Sequence, residues 1–189
     1  MIPAPFIVVL DANVLYPFTL RDTLLRAAAA DFYQLRWTTE ILGEMERNLL
    51  KNGVMSPAQA AHLRSEMETY FPEARVDDYE SLVDAMKNDE KDRHVAAAAV
   101  LAGAQVIVTS NLRDFAPLPT GIEAQSPDHF LCNLFDLDPD EFTTILREQS
   151  ADLNDPPISF DGILDRLSRV APEFVRGVRD WQQKAPEST

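Results

Sequence analysis

An α/β fold built on a mostly parallel sheet is predicted by three observations. A short β-rich apolar run, "FIVVL" (residues 6–10), opens the chain, and a second, "QVIVTS" (105–110), follows much later. Segments of helical periodicity separate such runs, the pattern of βαβ units. Beyond about residue 126 only helical patterns remain, so helices are added to an α/β body. We therefore expect an α/β body over 1–125 and a helical extension over 126–189.

The elements follow in order. Residues 6–10 form a buried strand. "TLRDTLLRAAAADF" (19–32) has apolar residues at helical spacing, and "YQLRWT" (33–38) reads as a short strand. Thr38 or Thr39 caps a helix over about 39–52 that stops at Gly53. Ser56-Pro57 starts the next, with Ser as cap and Pro in the first turn, and Phe71-Pro72 ends it. A weak strand is expected at 74–76 and a short helix at "YESLVDAM". A helix over 92–104 closes at Gly103, a buried strand follows at 105–109, and "IEAQ" (122–125) completes the sheet. "PDHFLCNLFDL", "DPDEFTTILREQSADL", "FDGILDRLSRV" and "PEFVRGVRDW" are helical, with a Pro-rich break at "NDPPIS" (154–159).

Composition narrows the function. The 189 residues are 46% hydrophobic, enough for a sizeable core. A single cysteine, Cys132, excludes an internal disulfide framework and a cysteine-rich zinc site, which makes a reducing, cytoplasmic setting the default. The opening "MIPAPFIVVLD" has no basic leader region, and no apolar run approaches membrane-spanning length, so no membrane association is expected. The net charge is −14, spread evenly: 11 Lys/Arg against 18 Asp/Glu in residues 1–125, and 6 against 13 thereafter. Nucleic-acid affinity rests on phosphate neutralisation, so such a substrate would require a basic strip, bound metal or a basic partner. Solubility alone also accounts for acidity.

The acids nevertheless fall in a pattern. Asp11 ends the first strand, where open parallel sheets bind ligands, and Asn13 sits at the same mouth; capping of the following turn would explain Asp11 equally. Glu40 and Glu44 share a helix face at i and i+4, as solvated surface acids also do. Asp89 and Asp92 open a helix, where carboxylates are favoured and capping suffices for one of them. "VIVTSNLRDF" repeats the logic of the opening: a strand exits into Thr109, Ser110, Asn111 and Asp114. Two strand exits and two helix starts thus deliver acids towards one mouth. Close carboxylates repel, and a cation relieves that repulsion; all-oxygen ligands suit Mg²⁺ or Mn²⁺ rather than zinc.

At these residues the chain resembles the PIN-domain ribonucleases, and within them VapC-type toxins of bacterial toxin–antitoxin pairs. The matching stretches are "VLDANVLY", "TTEILGEMERNL" and "DEKDRHVAAAAVLAGAQVIVTSNLRDF", in family order over residues 6–124. The C-terminal helices look like the extension of one large subgroup. The resemblance implies Asp11, Glu44, Asp92 and Asp114 as catalytic acids, with Asp11, Asp92 and Asp114 holding Mg²⁺ or Mn²⁺. It places Asn13, Thr109 and Asn111 around the same pocket, with Asp89 and Glu40 as auxiliary acids; many relatives carry Asp where this chain has Asn111. It implies cleavage of structured RNA, a cognate antitoxin partner and a homodimer. Arg93 and Arg113, beside two of the acids, are the candidates for phosphate contact. His94 is read as structural, and His62 and His129 receive no role.

Two other readings compete with this one. A receiver-like signalling domain would need a phosphoacceptor Asp near residues 50–60, where "KNGVMSPAQA" is a helix break, and a Lys after a late strand, where "VTSNLRDF" has none. A non-catalytic PIN-fold interaction module is the alternative that Asn111 and the acidity favour; four acids at matching places oppose it.

Overall fold

The computed structural model describes residues 6–184, so residues 1–5, part of the opening read as leaderless, lie outside the described residues. Four parallel strands form one sheet in the order β2-β1-β3-β4: β1 (Ile7–Leu10), β2 (Gln34–Arg36), β3 (Val106–Val108) and β4 (Glu123–Gln125). The apolar runs are continuous because β1 and β3 are covered on both faces; Val8, Val9, Leu10, Ile107 and Val108 are fully buried. From β1 the chain turns to β2 on one side and later to β3 on the other. The crevice outside the carboxyl ends of β1 and β3 is therefore the topological switch point of the sheet.

The helices are α1 (Ala12–Leu15), α2 (Phe18–Ala29), α3 (Thr39–Lys51), α4 (Pro57–Tyr70), α5 (Glu80–Val83), α6 (Arg93–Ala102), α7 (Pro127–Leu137), α8 (Pro139–Asp152), α9 (Phe160–Leu167) and α10 (Pro172–Lys184). Their ends follow local chemistry. Thr38 Oγ1 accepts from Ile41 N at 3.1 Å and fixes the start of α3. Ser56 and Gln59 form a reciprocal capping box ahead of α4. Gly103, at φ +65°, ends α6 in the left-handed conformation that glycine adopts without penalty. The alanines Ala96 to Ala99 of α6 are fully buried and let that helix approach β1 and β3 closely.

One local expectation is adjusted, and two short elements are added. The weak strand at 74–76 is a 3-10 turn (Pro72–Ala74) followed by a single bridge between Trp37 and Arg75. Only two backbone bonds support it, Trp37 N to Ala74 O and Val76 N to Trp37 O, each 2.8 Å. Residues 12–15 and 112–115 make short helical turns that are too brief to show a period in sequence.

Packing divides the chain into two compact units. The first comprises residues up to Pro17 and Tyr33–Ser126, and holds the whole sheet. The second comprises Phe18–Phe32 and the residues from Pro127 onward. The helix α2, which the sequence reading left with the sheet, thus packs against α8 and α9. An amphipathic helix reads alike whatever covers its apolar face, so sequence could not reveal this. The second unit is pinned by edge-to-face contacts of Phe135 with Phe142, Phe174 and Trp181. Thr23 Oγ1 also donates to Gln149 Oε1 at 2.9 Å in its core. The Asp128 carboxylate of α7 accepts from the N–H groups of Glu173 and Phe174 at 3.2 and 2.9 Å, closing the start of α10. Among the described residues, no helix is long and apolar enough to cross a membrane.

Candidate active site

Asp11 stands where β1 ends, 4% exposed, and its backbone N–H still bonds Val108 O of β3 at 3.1 Å. Its side chain makes no capping bond to α1, so turn capping does not explain it. Thr109 Oγ1 donates to Asp11 Oδ2 at 2.7 Å, and Asn13 Nδ2 donates to the same oxygen at 2.6 Å and to Thr109 Oγ1 at 3.0 Å. The amide orientation of Asn13 is fixed from its other end, where Oδ1 accepts from Ser110 N at 2.9 Å. Thr109 Oγ1 also accepts from Asn111 N at 3.1 Å, so that hydroxyl donates once and accepts twice. One oxygen of Asp11 is thereby held by two donors from two strand exits. Burial raises the Asp11 pKa and the Glu44 charge adds to it, while Thr109 and the Ala12 N–H pull the other way.

Asp92 precedes α6 without capping it. Asp89 caps the 3-10 turn (Glu90–Asp92) ahead of α6, its carboxylate accepting from Lys91 N at 3.1 Å, so the capping explanation applies to Asp89 and not to Asp92. The Asp92 carboxyl is pushed up to about 6 by desolvation and then by the charges of Asp11, Asp114 and Asp89. This coupling ties four acids from three loops together. Asp114 is oriented by the Asn111 side-chain amide, which donates to its carboxylate. Its carbonyl accepts from Asp89 N at 2.9 Å, which joins the loop after β3 to the start of α6.

An open cleft of about 360 Å³ lies at this mouth, lined by Asp11, Asn13, Glu44 and Asp92 together with Arg47, Asn48 and Lys91. Asp11, Glu44 and Asp92 thus share one cleft; Asp114 acts on it through the charge felt by Asp92. Glu40 is turned to its side, accepting from Tyr79 OH at 2.9 Å and facing His94. His94 lies between the two glutamates, with Nδ1 3.7 Å from Glu40 Oε2 and Nε2 3.4 Å from Glu44 Oε1. Both contacts are charge approaches rather than formed hydrogen bonds. Burial disfavours the charged imidazole, but Glu44, Glu40 and Asp11 outweigh it and its pKa is raised.

The cations differ from the sequence reading. Arg93 donates from Nε to the carbonyl of Asn88 at 3.2 Å and is half-buried. Arg113 is exposed. Arg47 and Lys91, to which no role had been given, line the cleft itself. Arg47 follows Glu44 by three residues and therefore shares its helix face, a signal available in sequence. Lys91 directly precedes Asp92.

The groups left at the mouth are carboxylates, and desolvation followed by their mutual charge raises the pKa of Asp92. Asp11, Asp92 and Asp114 fit a hard divalent cation such as Mg²⁺ or Mn²⁺.

Comparison with known proteins agrees with this geometry. The PIN domain family profile matches residues 7–113, and that of the VapC50 C-terminal domain matches residues 127–180. The Mycobacterium tuberculosis protein named "Putative ribonuclease VapC50" is 39% identical over 104 residues, which cover 53% of this chain and 62% of that protein. The match thus spans less than two thirds of that relative's length. No solved structure matches the chain. The PIN profile covers more than half of the sequence and includes the strand exits that carry Asp11 and Thr109 and the start of α6 with Asp92: the chain belongs to the PIN-domain family, and its residues 127–180 match the VapC50 C-terminal domain.

Proposed function

We propose that the chain is a metal-dependent endoribonuclease, the toxin of a toxin–antitoxin pair, which hydrolyses phosphodiester bonds in structured RNA. One observation carries the reading: Asp11, Glu44 and Asp92 line one cleft at the switch point of the sheet, where desolvation and then the charges of Asp11, Asp114 and Asp89 push the Asp92 carboxyl up to about 6. Such crowding costs stability unless a cation or a phosphate-bound metal shares the site. The relative named a ribonuclease supports the same chemistry.

Asp11, Asp92 and Asp114 would hold Mg²⁺ or Mn²⁺, which supplies Lewis-acid polarisation of a phosphoryl oxygen and lowers the pKa of water. The chain's own residues do the positioning. Thr109 and Asn13 grip one oxygen of Asp11 and so orient its carboxylate at the mouth. Asn111 sets the orientation of Asp114. Glu44 supplies the acid on the α3 wall of the cleft. Arg47 and Lys91 at the cleft, with exposed Arg113, offer phosphate contacts on an otherwise acidic chain.

In this reading residues 1–125 are the nuclease body and 126–189 its helical extension, the setting is cytoplasmic, and a cognate antitoxin and a second copy of the chain are the protein partners. Much of the apolar side of α3 is used in the chain's own core, since Ile41, Leu42, Met45 and Leu49 are buried. Leu50, Val54 and Tyr70 remain exposed for a homodimer, and light scattering at micromolar concentration tests it.

The deciding experiment is a Mg²⁺ and Mn²⁺ titration of RNA cleavage, with Asp11→Asn as control. Metal-dependent cleavage that the variant loses supports the reading. A folded wild type inert on transfer and ribosomal RNA at all metal concentrations would favour the non-catalytic interaction module.

A further inference from the structure

We propose that Glu40, Glu44 and His94 form a second cation site, which takes a divalent metal of the Zn²⁺ class and ties α3 to α6. The site shares Glu44 with the wall of the cleft but differs in chemistry from the aspartate cluster, because one of its ligands is nitrogen. Imidazole suits zinc and the later transition metals, whereas all-oxygen sets suit Mg²⁺ and Mn²⁺.

Three observations support it. One ligand atom from each of the three residues lies within 4.8 Å of the others, a convergence brought about by two helices. His94 is 6% exposed, and both its ring nitrogens are buried without a hydrogen-bond partner among the described residues. Leaving a buried polar atom unpaired is costly, and here both nitrogens face carboxylates. The Nε2–Oε1 separation of 3.4 Å to Glu44 matches the edge of a tetrahedron with metal–ligand bonds of about 2.1 Å. Outside the trio, Tyr79 OH donates to Glu40 Oε2 at 2.9 Å, the kind of outer hydrogen bond that orients a ligating carboxylate.

The competing account of the same contacts is an imidazolium held between two carboxylates with no ion. Calorimetric titration of the full chain with Zn²⁺ separates the two. One zinc per chain is expected in the wild type and also in Asp92→Asn, which leaves this trio intact. His94→Gln and Glu40→Gln should each weaken that binding at least about tenfold, the low end of the loss caused even by an outer partner of a metal ligand. Glu40 is exposed, so its variant keeps the test valid if His94→Gln misfolds. Co²⁺ in place of Zn²⁺ should give a visible absorption band in wild type and Asp92→Asn that Glu40→Gln abolishes. Zinc binding unaffected by both trio variants, binding lost in Asp92→Asn, or no binding at micromolar Zn²⁺ would each overturn the proposal. Because these readouts need no RNA, they succeed or fail independently of the nuclease reading.

Discussion

Thr109 and Asp11 lie 98 residues apart in sequence, yet the Thr109 hydroxyl donates to the buried Asp11 carboxylate at 2.7 Å. The parallel pairing of β1 with β3 creates that contact, since Leu10 is in register with Val108 and the next residue of each strand faces the other. The same hydroxyl anchors Asn13 and Asn111, so it is the hub of the mouth.

Thr109→Val keeps the shape and removes the hub. It is expected to cost about 1–3 kcal/mol, the range for a lost hydrogen bond to a charged or buried group. The Asp11 pKa, which Thr109 lowers, should rise further. Urea denaturation and carboxyl-carbon NMR titration check both, and Thr109→Ser should restore them. An Asp11 pKa equal to wild type in Thr109→Val would show that the contact is electrostatically idle.

Asp92→Asn should stabilise the metal-free protein at neutral pH. The Asp92 pKa is raised from 3.8 to about 6 in the folded state, so the folded chain binds the proton more tightly than the unfolded chain does. Stability from this group is therefore lost as pH rises from about 4 to about 6, and the loss stays constant above that. After allowance for solvent screening the difference at pH 7 is on the order of 1 kcal/mol. Denaturation of both proteins in EDTA between pH 4.5 and 7.5 measures it. Curves that run parallel across that window would refute the raised Asp92 pKa.

Charge reversal at the cleft should weaken RNA binding with a diagnostic salt dependence. Lys91→Glu and Arg113→Glu should each reduce the slope of log K against log salt by about 1, if each side chain neutralises one phosphate. Arg93→Gln should change the slope less, because its guanidinium already serves the Asn88 carbonyl. Fluorescence anisotropy with a catalytically silent Asp11→Asn background provides the measurement. Equal slopes for all variants would move the RNA path away from this cleft.

In the second unit, Asp128→Ala removes the acceptor for two N–H groups at the start of α10. A loss of about 1–2 kcal/mol is expected, as for other helix-start acceptors. Asp128→Asn should recover part of it, and thermal unfolding reads the difference. No change in Asp128→Ala would mean that water replaces the carboxylate at no cost.

What could be read in sequence depended on range. The strand exits at Asp11 and Thr109 were legible because apolar runs ending in polar residues are local signals. The shared face of Glu40 and Glu44 followed from helical spacing, and both do face His94. The role of His94 was not legible, since its neighbours come from α3 and only helix packing brings them there. Asp89 and Asp92 looked alike as helix openers; their separation into a capping acid and a free acid appears only in the hydrogen bonds. Arg93 looked like the phosphate contact, and its commitment to a backbone carbonyl depends on the loop's conformation.

The membership of α2 in the second unit sets a timetable for synthesis. Its apolar residues Leu20, Leu24 and Ala27 are fully or almost fully buried in the finished chain, against helices that begin only at Pro139 and Phe160. At about 5–20 residues per second, translation leaves that face without its native cover for on the order of ten seconds. For that interval the nascent chain exposes a hydrophobic stripe on the helix that follows β1 in sequence. A premature stop just before α8 would thus leave a fragment whose sticky surface belongs to its N-terminal third, a substrate for chaperones and proteases rather than a smaller stable protein.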